Sequence, residues 1–404
     1  MSRVTPKRDL RTGRSLWTDS SGLGVPARPL GEAVVCDVVV VGAGISGAFM
    51  AHELSRDHAV VVLDRRPPLT GSTMASTAML QWEIDLPLTV LSQRIGPDKA
   101  RRAYRRSWAA VGELKRIVAD EGIRCGLKDN AALYLAGDAH GRRALDLEAE
   151  ARTALGLDSV FLGPSDLRER FGVERTGAIL SQGAASADPA RLAAGLLRRA
   201  AKAGARIFSP VEALQAASDP EGVTLLTDAG HAVRARKAVF CCGYEFPKGV
   251  PTPGAEVIST WALASHPGAR CPAWLRETLV WEGSDPYLYF RMGGDRRLIA
   301  GGEDEADPKA HADPKKLKRK CAAIADKLRR LLPEVEFEVD YAWAGAFGES
   351  ATGLPSIAPV PDLNHAWAVM GFGGNGITYS VIASQIVGAA LRGEADADAD
   401  LYRL

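Results

Sequence analysis

The strongest constraint on the fold is a glycine pattern that follows a run of valines. Residues 38–64 read VVVVGAGISGAFMAHELSRDHAVVVLD, in which Gly42, Gly44 and Gly47 form G-x-G-x-x-G and a second apolar run ends at Asp64. In a strand–helix–strand unit these glycines permit a tight turn, the approach of a pyrophosphate to the backbone, and close helix packing. The acid at the end of the second strand accepts hydrogen bonds from a ribose. The pattern predicts a dinucleotide site, against the alternative of a glycine turn in an unrelated fold.

The composition is that of an ordinary globular protein with more than one domain. The chain has 404 residues, of which 46% are hydrophobic and 25% charged, with a formal net charge of +1. This balance gives no general attraction to nucleic acid, and no apolar run is long enough to span a membrane. Six cysteines without a C-x-x-C pair predict neither a disulfide framework nor a metal site. We expect a reducing, cytoplasmic location, because no secretory signal is evident.

Local signals organise the rest of the chain. Residues 1–33 are polar, with scattered proline and glycine, and we interpret them as an N-terminal arm on the surface or partly disordered. Asp188-Pro189 predicts a helix start, because aspartate caps helices and proline is favoured at their first position. The basic residues at 315–320 lack interleaved aromatic residues, which favours a solvated helix face over a nucleic-acid site.

Three separated segments are suited to binding one long cofactor. The first is the glycine fingerprint, the second is the hydroxyl-rich loop at 71–80, and the third is GFGGNGITYS at 371–380, where a glycine loop begins a helix. One NAD half-site would not need the third segment, whereas a ligand with a nucleotide at one end and a ring at the other would need all three. FAD is such a ligand. An ordinary polar turn is the alternative for the loop at 71–80.

These motifs make the chain resemble the superfamily of FAD-dependent amino-acid and amine oxidases (the DAO superfamily), which includes glycine oxidase and monomeric sarcosine oxidase. The resemblance covers about residues 34–392 and also rests on the order and spacing of AGARIFSPV, KAVFCCG and WAGAFGESATGLPSIA. It implies an α/β fold in which a Rossmann-like FAD-binding domain is interleaved with a smaller α+β substrate domain containing a mixed antiparallel sheet.

The domains implied by the resemblance are discontinuous. The expected segments are 34–85, 177–255 and 336–404 for the FAD-binding domain, and 86–176 and 256–335 for the substrate domain.

The resemblance also implies which residues contact FAD. Ile45 and Ser46 face the pyrophosphate, Asp64 holds the adenosine ribose, Val211 presents its backbone to adenine, and residues 373–378 wrap the pyrimidine end of the flavin. The complete expected set is Gly42, Gly44, Ile45, Ser46, Gly47, Asp64, Arg65, Ser72, Thr73, Ser76, Thr77, Ala78, Met79, Val211, Gly243, Gly373, Gly374, Asn375, Gly376, Ile377 and Thr378.

The chain departs from the superfamily at the substrate. Glycine oxidase-like members grip a carboxylate with two arginines, and Phe347 and Gly374 stand at those positions here. Strand alternation puts Tyr287, Tyr289 and Arg291 on one face. Arg291 is therefore the candidate replacement for an anionic substrate, and the two tyrosines are candidates for a cationic amine through cation–π contact. Packing within the sheet is the structural alternative for all three.

Three residues after the flavin-facing loop are secondary candidates. Trp82, Glu83 and Asp85 follow that loop directly, and an acid there would suit a cationic amine. No residue of the chain stands in a motif that demands a general base, so no catalytic residue is identified.

The linkage to FAD is expected to be non-covalent. The sarcosine oxidase branch attaches FAD through a cysteine in the segment matching 345–355, but this chain has no cysteine after Cys321. Ile299 stands near the position where that branch carries an oxygen-activating lysine. The electron acceptor is therefore either oxygen or an unknown molecule.

The expected reaction is hydride transfer to flavin N5 from a C–H bond next to nitrogen in a small amine or amino acid, followed by hydrolysis of the imine. Two alternatives stay open. A 2-hydroxy-acid dehydrogenase would need a base beside the hydroxyl, and none is apparent. A non-catalytic flavoprotein subunit of a hetero-oligomeric dehydrogenase would suit the missing arginines.

Overall fold

The computed structural model describes residues 4–250 and 255–403, which form two large sheets and the helices that cover them. The strands are β1 (Arg11–Arg14), β2 (Ala27–Arg28), β3 (Val34–Val41), β4 (Val60–Leu63), β5 (Met79–Leu80), β6 (Lys128–Leu135), β7 (Ser159–Leu162), β8 (Ala178–Ser186), β9 (Arg206–Phe208), β10 (Ala213–Asp219), β11 (Gly222–Thr227), β12 (Ala232–Gly243), β13 (Ala255–Ser265), β14 (Thr278–Glu282), β15 (Leu288–Met292), β16 (Leu298–Glu305), β17 (Val339–Ser350), β18 (Ser356–Pro359) and β19 (Ala366–Met370). The helices are α1 (Ile45–Leu54), α2 (Leu88–Ile95), α3 (Pro97–Asp120), α4 (Arg142–Ala154), α5 (Pro164–Phe171), α6 (Pro189–Lys202), α7 (Pro314–Leu331) and α8 (Gly376–Leu391).

The first sheet contains the glycine fingerprint. Its nine strands follow the order β10-β11-β12-β3-β4-β9-β2, with β19 beside β12 and β18 beside β19. β3 pairs in parallel with both β4 and β12, as the fingerprint predicts. The valine run of β3 is apolar throughout because both faces of a parallel sheet are covered. Val38 and Val40 pack with α1 and α8, while Val39 packs into the core on the opposite face.

The second sheet is mostly antiparallel. Its ten strands follow the order β1-β17-β13-β16-β15-β14-β6-β8-β5, with β7 beside β8, and β14 pairs with β6 in parallel. Helix α7 covers this sheet through its apolar stripe, in which Cys321, Ile324 and Leu328 are buried. A parallel α/β sheet joined to a mixed antiparallel sheet confirms the predicted fold class.

The helix that begins at Asp188-Pro189 confirms the capping argument. Asp188 Oδ1 accepts hydrogen bonds from the Ala190 and Arg191 N–H groups at 2.9 Å each, and Pro189 is the first residue of α6. The helix therefore begins where local residue chemistry places it.

Three strands from the segments predicted for the FAD-binding domain belong to the second sheet. β5, β8 and β17 lie within those segments, yet all three hydrogen-bond within the second sheet. The difference arises because a buried strand has the same apolar pattern in either sheet, and its partners are distant in sequence.

The N-terminal arm is ordered over its described residues, which does not agree with partial disorder. Most of these residues are exposed or half-buried, as expected for an arm on the surface. β1 pairs antiparallel with β17, β2 pairs in parallel with β9, and Leu10 and Trp17 are buried. A polar segment can be ordered in this way because backbone pairing with a sheet edge stabilises it whatever its side chains are.

Candidate cofactor and substrate site

A cavity bordered by both sheets brings the predicted site residues together. The carboxyl ends of β3, β4 and β12 open onto it from the first sheet, and β13, β14 and β17 border it from the second. Every residue predicted to contact FAD lines this cavity except Gly47, and Tyr287, Tyr289 and Phe347 line it as well. Ligands of α/β proteins bind outside the carboxyl ends of parallel strands, so this is the expected place for a dinucleotide.

Two of the three fingerprint glycines, Gly42 and Gly47, are required by a close approach of the backbone. Gly42 has φ +113°, and a Cβ there would stand 2.3 Å from the carbonyl oxygen of Cys241. A Cβ at Gly47 would stand 1.8 Å from the carbonyl oxygen of Gly42, so helix α1 packs directly on the turn. At Gly44 the nearest atom to a Cβ would be Thr73 Oγ1 at 3.0 Å, and its residue lines the cavity. Gly47 therefore supports the site without lining it.

Asp64 is held at the end of β4 by two backbone donors. Its Oδ2 accepts the Ala43 N–H at 2.7 Å and its Oδ1 accepts the Arg66 N–H at 2.8 Å. Burial raises the pKa of this carboxyl, and the two N–H groups partly offset the rise. The bonds orient the carboxyl at the cavity wall, where its remaining lone pairs can accept ribose hydroxyls.

The hydroxyl-rich loop is a turn with one unpaired donor. A short 3₁₀ helix covers Ser72–Ala75, and the Thr73 hydroxyl accepts the Ile45 N–H at 2.9 Å. The Ser72 hydroxyl is buried without a hydrogen-bond partner, as is the amide nitrogen of Gln81. A buried unpaired polar group costs about 1–3 kcal/mol. Because both residues line the cavity, these donors fit a phosphate- and ring-bearing cofactor such as FAD.

The C-terminal glycine loop is bonded to the segment that follows the hydroxyl-rich loop. Asn375 Nδ2 donates to the Glu83 carbonyl at 2.5 Å, and the Thr378 hydroxyl donates to the Gln81 carbonyl at 2.9 Å. Helix α8 begins here, so its N-terminus and partial positive charge border the cavity. The chain thus joins the two segments predicted to flank the flavin ring.

Ser46 lines the cavity and also joins two helices. Its hydroxyl lies 2.8 Å from the hydroxyl of Ser380, which connects α1 to α8. The contact fixes the first turn of α1 at the cavity wall.

Aromatic side chains form the end of the cavity on the second sheet. The rings of Tyr287 and Tyr289 lie 5.6 Å apart between centroids, and both residues line the cavity together with Phe347 and Trp281. The Tyr287 hydroxyl donates to Asp304 Oδ2 at 3.1 Å. We call this region the tyrosine end.

Carboxyl groups gather at the tyrosine end without a cationic partner. Asp85 accepts the Gly374 N–H at 2.7 Å, and Asp304 stands behind Tyr287. Desolvation by the surrounding protein raises the pKa of Asp304 and of Asp85 to about 6, although Asp85 is still exposed to solvent, and the charge of Glu349 adds to both shifts. Burial also raises the pKa of Glu349. Among the described residues, no lysine or arginine forms a salt bridge with any of the three carboxyls, and none is among the main causes of their pKa shifts.

Arg291 lies outside the cavity, which corrects its candidacy as a substrate anchor. Its guanidinium donates to the carbonyl oxygens of Thr77 at 2.7 Å, Ala187 at 2.9 Å and Met292 at 3.3 Å, and the residue is 3% exposed. Burial lowers its pKa to about 10. Alternation identifies the face of a strand but not what covers that face, and here the hydroxyl-rich loop covers it. Arg291 therefore holds this loop in place.

Asp85 fills the space beside Gly374, where glycine oxidase-like proteins carry the second carboxylate-binding arginine. A Cβ at Gly374 would stand 2.6 Å from Asp85 Oδ1, so a longer side chain there would displace the carboxylate. Asp85 is thus the charged group at this point of the cavity.

The other two secondary candidates, Trp82 and Glu83, are buried. Trp82 Nε1 donates to the Gln182 carbonyl at 2.7 Å, so this side chain is engaged. Glu83 lines the cavity and its carboxyl lies 3.8 Å from Arg152, but neither carboxyl oxygen has a hydrogen-bond partner among the described residues. Asp85 is the exposed acid of the three, and Glu83 remains a second candidate for contact with substrate.

Sequence reasoning missed several cavity residues. Thr260 on β13 lines the tyrosine end, and Val4, Thr5 and Leu10 of the N-terminal arm line the cavity as well. No local motif distinguishes these residues, because they enter the site through strand pairing and chain crossing.

Neither a metal centre nor a membrane span is found in the described part of the chain. Residues 4–250 and 255–403 contain no group of three or more His, Cys, Asp or Glu side chains placed to hold a metal ion. No helix within the same residues is long and apolar enough to cross a membrane. Cys241 and Cys242 border the cavity, and burial raises the pKa of Cys242 to about 12, so its thiol is protonated.

Known proteins with similar sequences share this organisation. The chain matches the family described as FAD dependent oxidoreductase (DAO) over residues 37–390. Glycine oxidase from Geobacillus kaustophilus (strain HTA426) is 24% identical over 373 residues, which cover 87% of this chain and 91% of that protein. The gamma-glutamylputrescine oxidoreductase of Escherichia coli (strain K12) is 24% identical over 394 residues, which cover 95% of this chain and 89% of that protein.

Solved structures show the same fold at low identity. The crystal structure of the Geobacillus kaustophilus glycine oxidase has a TM-score of 0.75 and 21% identity, covering 90% of this chain and 96% of that chain. The L-proline dehydrogenase from P. horikoshii has a TM-score of 0.76 and 18% identity, covering 93% and 97% respectively.

Proposed function

The chain belongs to the family of FAD-dependent oxidoreductases, and we propose that it oxidises a C–H bond next to nitrogen in a small, positively charged amine. The observation that carries the proposal is the charge at the tyrosine end. Asp85 and Asp304 lie there without a cationic partner in the described part of the chain. Phe347 and Gly374 occupy the positions of the carboxylate-binding arginines, and Arg291 bonds backbone carbonyls elsewhere. An ammonium group would be attracted to this region, whereas a carboxylate would meet like charge.

The relatives leave both kinds of substrate open for this chain. One is named for glycine, an amino acid, and another for gamma-glutamylputrescine. Whether the substrate is an amine or an amino acid therefore has to be inferred from the residues at the tyrosine end.

Three side chains would bind and orient the amine. Asp85 is positioned by the Gly374 N–H, so its carboxylate needs little reorganisation to accept a hydrogen bond from an ammonium group. Tyr287, fixed through its hydroxyl by Asp304, and Tyr289 offer ring faces to the cation. FAD held by the glycine fingerprint, Asp64 and the C-terminal glycine loop would supply the oxidising chemistry, and water would hydrolyse the imine product. The ring walls would exclude other water from the reacting carbon.

The 2-hydroxy-acid alternative is disfavoured by the same charges. Such a substrate carries a carboxylate, and no arginine or lysine of the described residues lines the tyrosine end. The cationic residues of the cavity, Arg65 and Arg66, lie at the nucleotide end, where they bond Glu212 and Glu245.

A charge series of similar length tests the proposal. The holoenzyme is mixed anaerobically with putrescine, butylamine or gamma-aminobutyrate, and the loss of the oxidised flavin absorbance band is followed. We expect putrescine and butylamine to reduce the flavin and gamma-aminobutyrate to do so poorly, because only the last carries a carboxylate. Faster reduction by gamma-aminobutyrate, glycine or a 2-hydroxy acid would contradict the proposed substrate charge.

Asp85→Asn tests the residue that presents the charge. Asparagine keeps an acceptor for the Gly374 N–H but removes the negative charge, so the loop geometry is preserved. We expect KM for the best amine to rise roughly 10- to 100-fold, with an unchanged flavin spectrum. Asp158→Asn, at an exposed position outside the cavity, is the matched control. Equal KM values for the two variants would indicate that the amine does not bind at Asp85.

A further inference from the structure

The N-terminal arm crosses the cavity at the nucleotide end. Val4, Thr5 and Leu10 line the cavity beside Arg65 and Val211, which border the place predicted for adenine. We call residues 4–10 the strap.

The first half of the strap is bonded to the first sheet. The Val4 N–H donates to the Leu214 carbonyl at 3.0 Å, and the Lys248 N–H donates to the Val4 carbonyl at 2.9 Å. The guanidinium of Arg65 donates to the Thr5 hydroxyl and, at 3.3 Å, to the Pro6 carbonyl. Thr5 is 1% exposed, so this contact is enclosed on all sides.

A partly buried ion pair between Arg66 and Glu245 holds the middle of the strap. Glu245 accepts the Arg8 N–H at 2.7 Å and both terminal nitrogens of Arg66, at 2.8 and 2.7 Å. Arg66 in turn donates to the Arg8 carbonyl at 2.9 Å. Arg66 directly follows the arginine that holds Thr5, so the strap is tied to the chain just after Asp64, the predicted ribose ligand.

The second half of the strap is bonded to the other sheet. The Ala346 N–H on β17 donates to the Leu10 carbonyl at 3.1 Å, and His311 Nε2 lies 2.7 Å from the Asp9 carbonyl. The Leu10 side chain packs with Tyr244. The strap therefore joins the two sheets across the cavity instead of lying along one of them.

We propose that the strap is part of the FAD site and closes its nucleotide half, so that FAD leaves only after the strap detaches. Val4 and Thr5 would contact the adenosine side of the cofactor, and the hydrogen bonds of Glu245 and Arg65 would hold the strap over it. The proposal concerns retention of the cofactor and is independent of the substrate charge proposed above.

The release rate of FAD from the holoenzyme measures this role. Residues 2–9 are deleted from the chain, which leaves β1 and Trp17 in place, and free FAD is separated by ultrafiltration after dilution. We expect release to be roughly 10- to 100-fold faster, because several hydrogen bonds to charged groups are lost. The affinity of the apoprotein for FAD should fall, while that for FMN, which lacks the adenosine half, should not change.

A point variant keeps the test decisive if the deletion fails to fold. Thr5→Val conserves the shape but removes the hydroxyl that Arg65 binds, and Thr18→Val makes the same change at an exposed position of the arm outside the cavity. We expect faster FAD release from the first variant only. Unchanged release from Thr5→Val, or from a folded deletion variant, would overturn the proposal. Equal losses of FAD and FMN affinity would also overturn it, since they would indicate a general structural role.

Discussion

Replacing Gly47 by alanine should damage both the fold and the cofactor site. The added Cβ would stand 1.8 Å from the carbonyl oxygen of Gly42 and 2.9 Å from its carbonyl carbon. Both of these atoms belong to the backbone of the turn, so no side chain can rotate away. Helix α1 must instead move outward by about 1 Å or more, since interiors are packed without spare space.

The cost follows from what packs on α1. The helix is buried on nearly all sides, with Ala48, Phe49 and Met50 in the main core, so an outward shift opens gaps on one face and crowds the other. A gap of that size forfeits much of the dispersion energy at each contact. We estimate about 3 kcal/mol, at the upper end of overpacking penalties.

Calorimetry of the apoprotein and the FAD content after purification check this estimate. For a chain of 404 residues, a loss of about 3 kcal/mol corresponds to a fall in Tm of roughly 3–4 °C. Gly44→Ala is the matched control, because its Cβ would approach only the side-chain oxygen of Thr73, at 3.0 Å, and a shift of a few tenths of an ångström relieves that contact. That variant should keep its Tm but bind FAD weakly, since the methyl group occupies the approach of the pyrophosphate. A Gly47→Ala variant with unchanged Tm would refute the packing argument.

Further predictions concern the cofactor, the loop and the pH dependence. Asp64→Ala should weaken FAD binding by about 1–3 kcal/mol in an equilibrium titration, because ribose hydroxyls lose their acceptor; an unchanged Kd would remove Asp64 from the site. Acid precipitation should leave a colourless pellet and a yellow supernatant, and a yellow pellet would reveal a covalent flavin. Arg291→Met should lower Tm and perturb the flavin spectrum, because the buried carbonyls of Thr77 and Ala187 lose their donor; an effect on KM alone would contradict this structural role. The pKa values of Asp85 and Asp304 are raised to about 6, so both carboxyls gain protons as the pH falls through that value, and KM for a cationic amine should then rise. A KM that stays constant or falls in this range would argue against a role for these carboxylates in binding the amine.

Local chemistry made much of this protein predictable from its amino-acid sequence. The glycine spacing, the valine run and Asp64 lie within 27 consecutive residues, and the backbone rules that join them act over a few residues. The same holds for the cap at Asp188 and the start of α8. Because each predicted FAD contact sits at the boundary of such an element, nearly all of them line one cavity.

Only the tertiary structure decided which distant groups meet. Asp85 and Gly374 are hydrogen-bonded across 289 positions of sequence, and Arg8 and Glu245 across 237. Strand alternation placed Arg291 on one face of β15, but it could not show that the hydroxyl-rich loop covers that face. The polar composition of the arm carried no information on which sheet edge its backbone pairs with. Pairing partners, burial and the charge of the substrate pocket depend on contacts between segments far apart in the chain, for which local residue patterns contain no rule.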